Sequence, residues 1–193
     1  MSPIFAELPA TAAWAHESVR SGFEVVYFSR SGNGFRAAGM TTAVEDGRTW
    51  SVDYDITLDE TWATRRALVT GRSAAGVRTA LLESDGEGRW FVDGEPAPRL
   101  DGCFDVDLEA SAMTNAFPVH RLKLAPAARS AAPAAYVRAL DLTVDRLEQE
   151  YTRTTDGEQR YAYAAPAFAF ACELSYDDSG LVVSYPGIAT RVV

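Results

Sequence analysis

The sequence predicts an all-β protein: an antiparallel spiral β-roll or barrel-like sheet of about 12–15 strands with little helix. Three observations carry this. Apolar and polar residues alternate over long stretches, as in RTWSVDYDITLD at 48–59. The alternating runs are rich in Val, Tyr, Phe, Trp and Thr, which fit a pleated, half-buried surface. Asp-Gly pairs at 46–47, 85–86 and 156–157 punctuate the runs. Each suits a type I′ hairpin turn, in which both central residues take positive φ.

The elements follow in order. TAAWAHESVRS at 11–21 reads as a short helix, with Thr11 as N-cap and Gly22 past its end. SRSGNGFR at 29–36 has the glycines of a phosphate loop but no GK[ST], and it lies between strands, so it reads as a flexible hairpin loop. WATRRALV at 62–69 and VRTALLES at 77–84 continue the strand pattern. In DGCFDVDL at 101–108, a strand would place Asp101, Cys103, Asp105 and Asp107 on one face and apolar side chains on the other. Thr114-Asn115 reads as a turn, because Pro118 pushes Phe117 toward extended geometry. RLKL at 121–124 reads as a strand, and PAARSAAPA at 126–134 as a loop between two strand-rich halves. Strands are expected again over 135–154, 159–165, 168–177 and 181–186, with a longer hairpin loop at Asp178-Ser179-Gly180. Connections this short favour antiparallel neighbours. We expect one domain over 1–193, with an internal duplication possible about 126–134.

A chain of 193 residues with 47% hydrophobic content can bury one sizeable core. No apolar run of about 18 residues marks a membrane span. The first twenty residues lack a basic leader and a long apolar stretch, so a cytoplasmic location is expected. A net charge of −9 argues against nucleic acid and anionic membranes as partners. Lys123 is the single lysine among 18 basic residues. With alanine so abundant, the arginine excess reads as genome composition rather than as an anion site. Cys103 and Cys172 have no metal spacing and are expected to behave as small buried hydrophobes. No metal and no cofactor are expected.

The aspartate row has two readings: a solvated outer face, or a polar site inside a pocket. If buried, the carboxylates need partners or raised pKa values, and Arg65, Arg66, Arg89, Arg99 and Arg121 are the available cations. Asn115 either caps its turn or meets a polar ligand, and His120 reads as structural. No GxSxG elbow is present. Carboxylates spaced along one strand also fit a glycoside hydrolase, although any acidic strand offers such pairs. Aromatic residues spread over nearly every strand would line any interior and suit a partly apolar, partly hydroxylated ligand.

Several stretches together carry a resemblance. They are Trp62-x2-Arg65-Arg66, DGEGRW at 85–90, LDGCFDVDLEASAMTNAFPVHRL at 100–122, QEYT at 149–152 and D-x2-GLV-x2-YP at 177–186. Over residues 22–190 the chain resembles the bacterial putative glycolipid-binding family. The resemblance implies a spiral β-roll, likened to carriers of bacterial lipoproteins, and a ligand of glycolipid type. It turns the aspartate row inward. On it we expect Asp101, Asp105 and Asp107 to pair with Arg65 and Arg121 at one end of an aromatic-lined cleft. Asn115 adds a polar contact, and Trp62 and Tyr151 complete the candidate ligand set. The expected function is non-enzymatic binding of an amphipathic molecule. The alternatives are a hydrolase of a sugar or lipid conjugate using paired aspartates, and a protein-interaction module.

Overall fold

A computed structural model describes residues 5–18 and 20–193. Its strands are β1 (Thr11–His16), β2 (Ser21–Ser31), β3 (Gly34–Glu45), β4 (Arg48–Leu58), β5 (Thr64–Ser73), β6 (Gly76–Ser84), β7 (Trp90–Val92), β8 (Glu95–Pro96), β9 (Asp105–Leu108), β10 (Arg129–Ala131), β11 (Ala134–Val137), β12 (Val144–Leu147), β13 (Glu150–Arg153), β14 (Arg160–Ala165), β15 (Phe170–Tyr176), β16 (Val182–Tyr185) and β17 (Ala189–Arg191). The excess over the expected number comes from pieces of two or three residues. Fourteen strands form one antiparallel sheet in the order β10-β13-β14-β15-β16-β17-β1-β2-β3-β4-β5-β6-β7-β8, and β12-β11-β9 form a second, smaller sheet. The large sheet runs from an edge at β10 to an edge at β8, so it is an open roll and not a closed barrel. Both chain ends meet at its centre, where β1 pairs with β17.

Alternation builds the long strands. Trp50, Val52, Tyr54, Ile56 and Leu58 of β4 are buried, while Ser51, Asp53, Asp55 and Thr57 face outward. On the outer face Asp55 pairs with Arg36 and Asp53 with Arg72. Asp46 and Gly47 close the β3–β4 hairpin with φ of 49° and 72°, as the I′ turn requires. The other two Asp-Gly pairs sit in wider loops where only the glycine takes positive φ. There the aspartate carboxylate gathers backbone amides instead: Asp85 accepts from Glu87 and Arg89, and Asp156 from Glu158.

Several local expectations are corrected. Residues 11–16 form a strand and not a helix, because β2 and β17 take up the backbone on both sides. Ala12 and Trp14 face the core at period two, and the Trp14 indole donates to the Val182 carbonyl at 2.8 Å. The segment 113–122 is helical: a 3-10 turn over Met113–Asn115 runs into α1 (Ala116–Leu122). Pro118 lies in the first turn of α1, where its missing N–H forfeits no helical bond. Ala112, Met113, Ala116, Phe117 and Val119 bury the apolar side of this run, which outweighs the bias of a residue preceding proline. The RLKL stretch is therefore the end of α1, with Lys123 left-handed at φ 47°. The loop at 126–134 contributes β10, and the run over 135–154 breaks into β11, β12 and β13. One strand pair, β9 with β11, is parallel, since a long connection through α1 and β10 separates them.

A buried carboxylate ties the helical segment to the sheet. Glu24 of β2 is fully buried and accepts from the Tyr54 and Ser111 hydroxyls and from the Ala112 amide at 2.8 Å. Thr41 of β3 donates to the Ala110 carbonyl at 2.6 Å. Gly39 lets the Tyr54 ring lie flat on β3, since a Cβ there would sit 2.5 Å from the phenolic oxygen. Gly39→Ala is expected to push Tyr54 off Glu24 and to destabilise the protein by about 1–3 kcal/mol, read as a lower denaturant midpoint at unchanged m.

Candidate ligand-binding cleft

Strand β9 places Asp105 and Asp107 on one face, and both carboxylates are buried. Arg121, near the end of α1, grips Asp105 bidentately: Nε donates to Oδ1 at 3.0 Å and Nη2 to Oδ2 at 2.5 Å. The guanidinium also lies 5.1 Å from the centre of the Phe104 ring. Burial pushes the Asp105 pKa up, and Arg121 opposes that shift. Among the described residues, no cation is bonded to Asp107. Its Oδ1 accepts from the Thr114 hydroxyl at 2.8 Å and its Oδ2 from the Gln149 side-chain amide at 2.5 Å. Burial raises its pKa to about 6, and the charges of Asp105 and Glu109 add to the rise.

Asp107 lines a cleft of about 250 Å³. Ser111 and Asn115 share the polar part of the lining, and Tyr136, Tyr163, Tyr185, Phe168 and Phe170 supply the aromatic part. Tyr163 packs against Tyr185 and Phe170 at ring separations of 5.9 and 6.3 Å, and Tyr136 against Phe168 at 5.5 Å. Tyr151 donates to the Asn115 side-chain oxygen at 2.9 Å, and Tyr176 donates to its carbonyl at 3.1 Å, so the amide is held in place from beneath. Burial and the charge of Asp107 push the Tyr163 and Tyr185 phenols well up, so both keep their protons at neutral pH. Arg20 enters from the β1–β2 turn, donates to the Glu109 carbonyl at 3.0 Å and lies over Trp50. The cleft thus offers carboxylate acceptors, phenol and guanidinium donors, and flat apolar rings. Among the described residues, no group of three or more His, Cys, Asp and Glu side chains converges as a metal site.

Of the residues singled out in the sequence, Asp107 and Asn115 line the cleft. Tyr151 is buried behind Asn115, and the Asp105–Arg121 pair lies next to Asp107 on β9 and outside the lining. The expected pairing of the aspartates with Arg65 is not made. The β4–β5 register shifts between Thr57 and Leu58, which face Arg66 and Thr64, and Arg65 is the extra residue between them. It turns outward toward Asp59 at 3.7 Å and donates to the Ser84 carbonyl. Asp101 is exposed, because the chain leaves a 3-10 turn over Pro98–Leu100 and becomes strand only at Asp105. Trp62 lies in a different groove, stacked on His120 at 3.6 Å. Arg20, Glu109 and Tyr136 were missed. For Glu109 a signal existed: it extends the Asp105–Asp107 spacing by one more step of two.

These features define a class: an open, mostly antiparallel β-roll with a small polar cleft walled by aromatic rings. The chain belongs to the family described as "Putative glycolipid-binding", whose model matches residues 11–191. It is similar to a DUF1089 family protein from Pseudomonas aeruginosa, known from its crystal structure. The identity is 31%, the TM-score is 0.79, and the match covers 100% of this chain and 97% of that one. No functionally curated protein matches. No helix among the described residues is long and apolar enough to cross a membrane.

Proposed function

We propose that the protein binds an amphipathic glycolipid without transforming it, holding one sugar ring in the cleft around Asp107. The observation that carries this is a buried carboxylate, bonded among the described residues to neutral donors alone, beneath a wall of tyrosines. A carboxylate accepts hydrogen bonds from sugar hydroxyls, and aromatic faces pack on the apolar face of a pyranose. The volume falls just below the roughly 300–1,000 Å³ of drug-sized sites, so one ring fits and an acyl chain stays outside. Phe168, 47% exposed at the cleft, is placed to meet the start of that chain. Arg20 comes from the N-terminal half and Tyr163 from the C-terminal half, which supports reading the whole chain as one domain. A cytoplasmic location agrees with this reading and is part of the proposal.

Asp107→Asn keeps the shape and removes the charge. Affinity for an alkyl glucoside below its micellar concentration, measured calorimetrically, is expected to fall about 10- to 100-fold, the worth of a charge-assisted hydrogen bond. An alkyl oligo(ethylene glycol) of equal chain length should bind neither form. Equal affinity of both proteins for the glucoside sinks the proposal, and release of free glucose would move the protein to the hydrolase class.

The same substitution tests how Asp107 is held. Its folded pKa lies above the unfolded carboxylate value, so the native state binds this proton more tightly. Its contribution therefore opposes folding increasingly as pH rises from about 4 to 6. Asp107→Asn should raise stability by up to about 3 kcal/mol above pH 6 and leave it unchanged below pH 4. A variant less stable than the parent at pH 7 would show that the charge is structural.

A further inference from the structure

A second cavity, of about 880 Å³, opens against the β2–β3 hairpin. Leu8, Pro9, Phe28, Phe35 and Trp62 supply its apolar wall, and all except Trp62 are only partly covered. The wall is built on purpose. Trp62 holds φ at 71°, a left-handed conformation that bulky residues avoid. Asp59 enforces it: its carboxylate accepts from the Thr61 and Ala63 amides at 2.9 and 3.1 Å, and its carbonyl from the Trp62 amide at 3.0 Å. The indole thereby stacks flat on His120 and meets the tilted Phe35 ring at 4.6 Å. His120 adds no charge, because burial lowers its pKa to about 4.

Two cations stand in the lining. Arg30 rests its guanidinium 4.7 Å from the centre of the Phe35 ring, and Lys123 follows α1. Both side chains are exposed, and among the described residues neither forms an ion pair. In a chain of net charge −9 whose arginines mostly meet carboxylates, two unpaired cations beside an apolar trough are unusual. Among the described residues, Glu7 is the one acid of the lining.

We infer that this groove binds a single-chain amphiphile with an anionic head: the acyl chain along Phe28, Phe35 and Trp62, the head between Arg30 and Lys123. The charge of the lining selects the head, and the volume lies within the small-molecule range rather than that of a flat protein interface. The site is separate from the sugar cleft. Arg20 precedes β2 and Arg30 is its penultimate residue, ten positions on, a span of at most about 33 Å along an extended strand. Between the two cavities lies α1, with Asn115 before its start facing the cleft and His120 near its end facing the groove.

The probe is 9,10-dibromostearate, whose bromines quench a tryptophan in contact. Saturable quenching below the micellar concentration is expected, and Trp62→Phe should remove most of it, since Trp14, Trp50 and Trp90 are buried elsewhere. The exposed double variant Arg30→Gln, Lys123→Gln should weaken binding at least tenfold, as should the uncharged methyl ester on the parent protein. In competition, each CH₂ removed from a saturated fatty acid should weaken binding up to about fourfold. Displacement by oleate or by lysophosphatidate supports the site, and the tighter of the two names its head. Asp107→Asn should leave the quenching unchanged, so failure of the sugar reading does not touch this one. Equal binding of acid and ester, or quenching unaffected by Trp62→Phe, overturns the inference. So does binding that appears only after residues 1–4 are deleted, which would assign the groove to the chain's own terminus.

Discussion

Arg121→Ala is expected to destabilise the protein by about 3–5 kcal/mol at neutral pH. The cause is the partner left behind. Asp105 is buried and has the Arg121 guanidinium as its bonded donor on both oxygens. Without it the carboxylate must stay charged in a poorly solvated site or take up a proton. Burial already holds its pKa above the ordinary value with Arg121 opposing, so the variant raises it further. A raised carboxylate pKa penalises the folded state above that pKa and not below the unfolded one. The loss should therefore shrink as pH falls toward 4, and the stability of the variant should fall more steeply with rising pH than that of the parent. Arg121→Met with Asp105→Leu removes both charges and should recover most of the loss, because the cost lies in the orphaned charge and not in the missing pair. Chemical denaturation of the parent, Arg121→Met, Asp105→Leu and the double variant measures the coupling. A loss below 1 kcal/mol in Arg121→Ala, flat with pH, would show that water reaches Asp105.

Glu24→Ala is expected to cost about 3–5 kcal/mol by stranding several donors at once. The Tyr54 and Ser111 hydroxyls and the Ala112 amide all point at this one carboxylate, inside the core. The hydroxyls can turn away, but the amide cannot, and the cavity left by the side chain adds its own cost. Glu24→Gln fills the space and keeps one acceptor, so it should lose about 1–2 kcal/mol. The ordering Ala worse than Gln, seen in thermal unfolding, identifies a polar clamp. Equal losses would reduce Glu24 to filler. Because the clamp fixes the segment just before α1, the alanine variant should also loosen Ser111 and Asn115 at the cleft, visible as faster amide exchange there.

Much of the fold was legible because strand formation leaves a local mark. Period-two burial in β4 and the Asp46-Gly47 turn follow from neighbours in sequence, and the structure repeats them residue by residue. What misled was local preference where distant partners decided. TAAWAHESVRS looks helical alone, yet β17, which begins some 170 residues later, pairs with it. Pro118 signals a break, yet sits where a helix tolerates it. The resemblance pointed to the DGCFDVDL and TN segments, and Asp107 and Asn115 do line the cleft. Asp101 and Arg65 fell away through a 3-10 turn and a one-residue bulge, local departures from strict alternation that no periodicity reports.

By itself the sequence determined the β-rich class, the long hairpins and a chemically unusual acidic strand, since all three arise from side chains a few positions apart. Only the tertiary structure decided which carboxylate meets arginine and which faces the tyrosines. Asp105 and Asp107 are alike in sequence, two residues apart on one strand, and differ through partners brought from α1 and from beyond residue 148. The balance of desolvation against those partners sets their charge, and a linear sequence carries no record of burial.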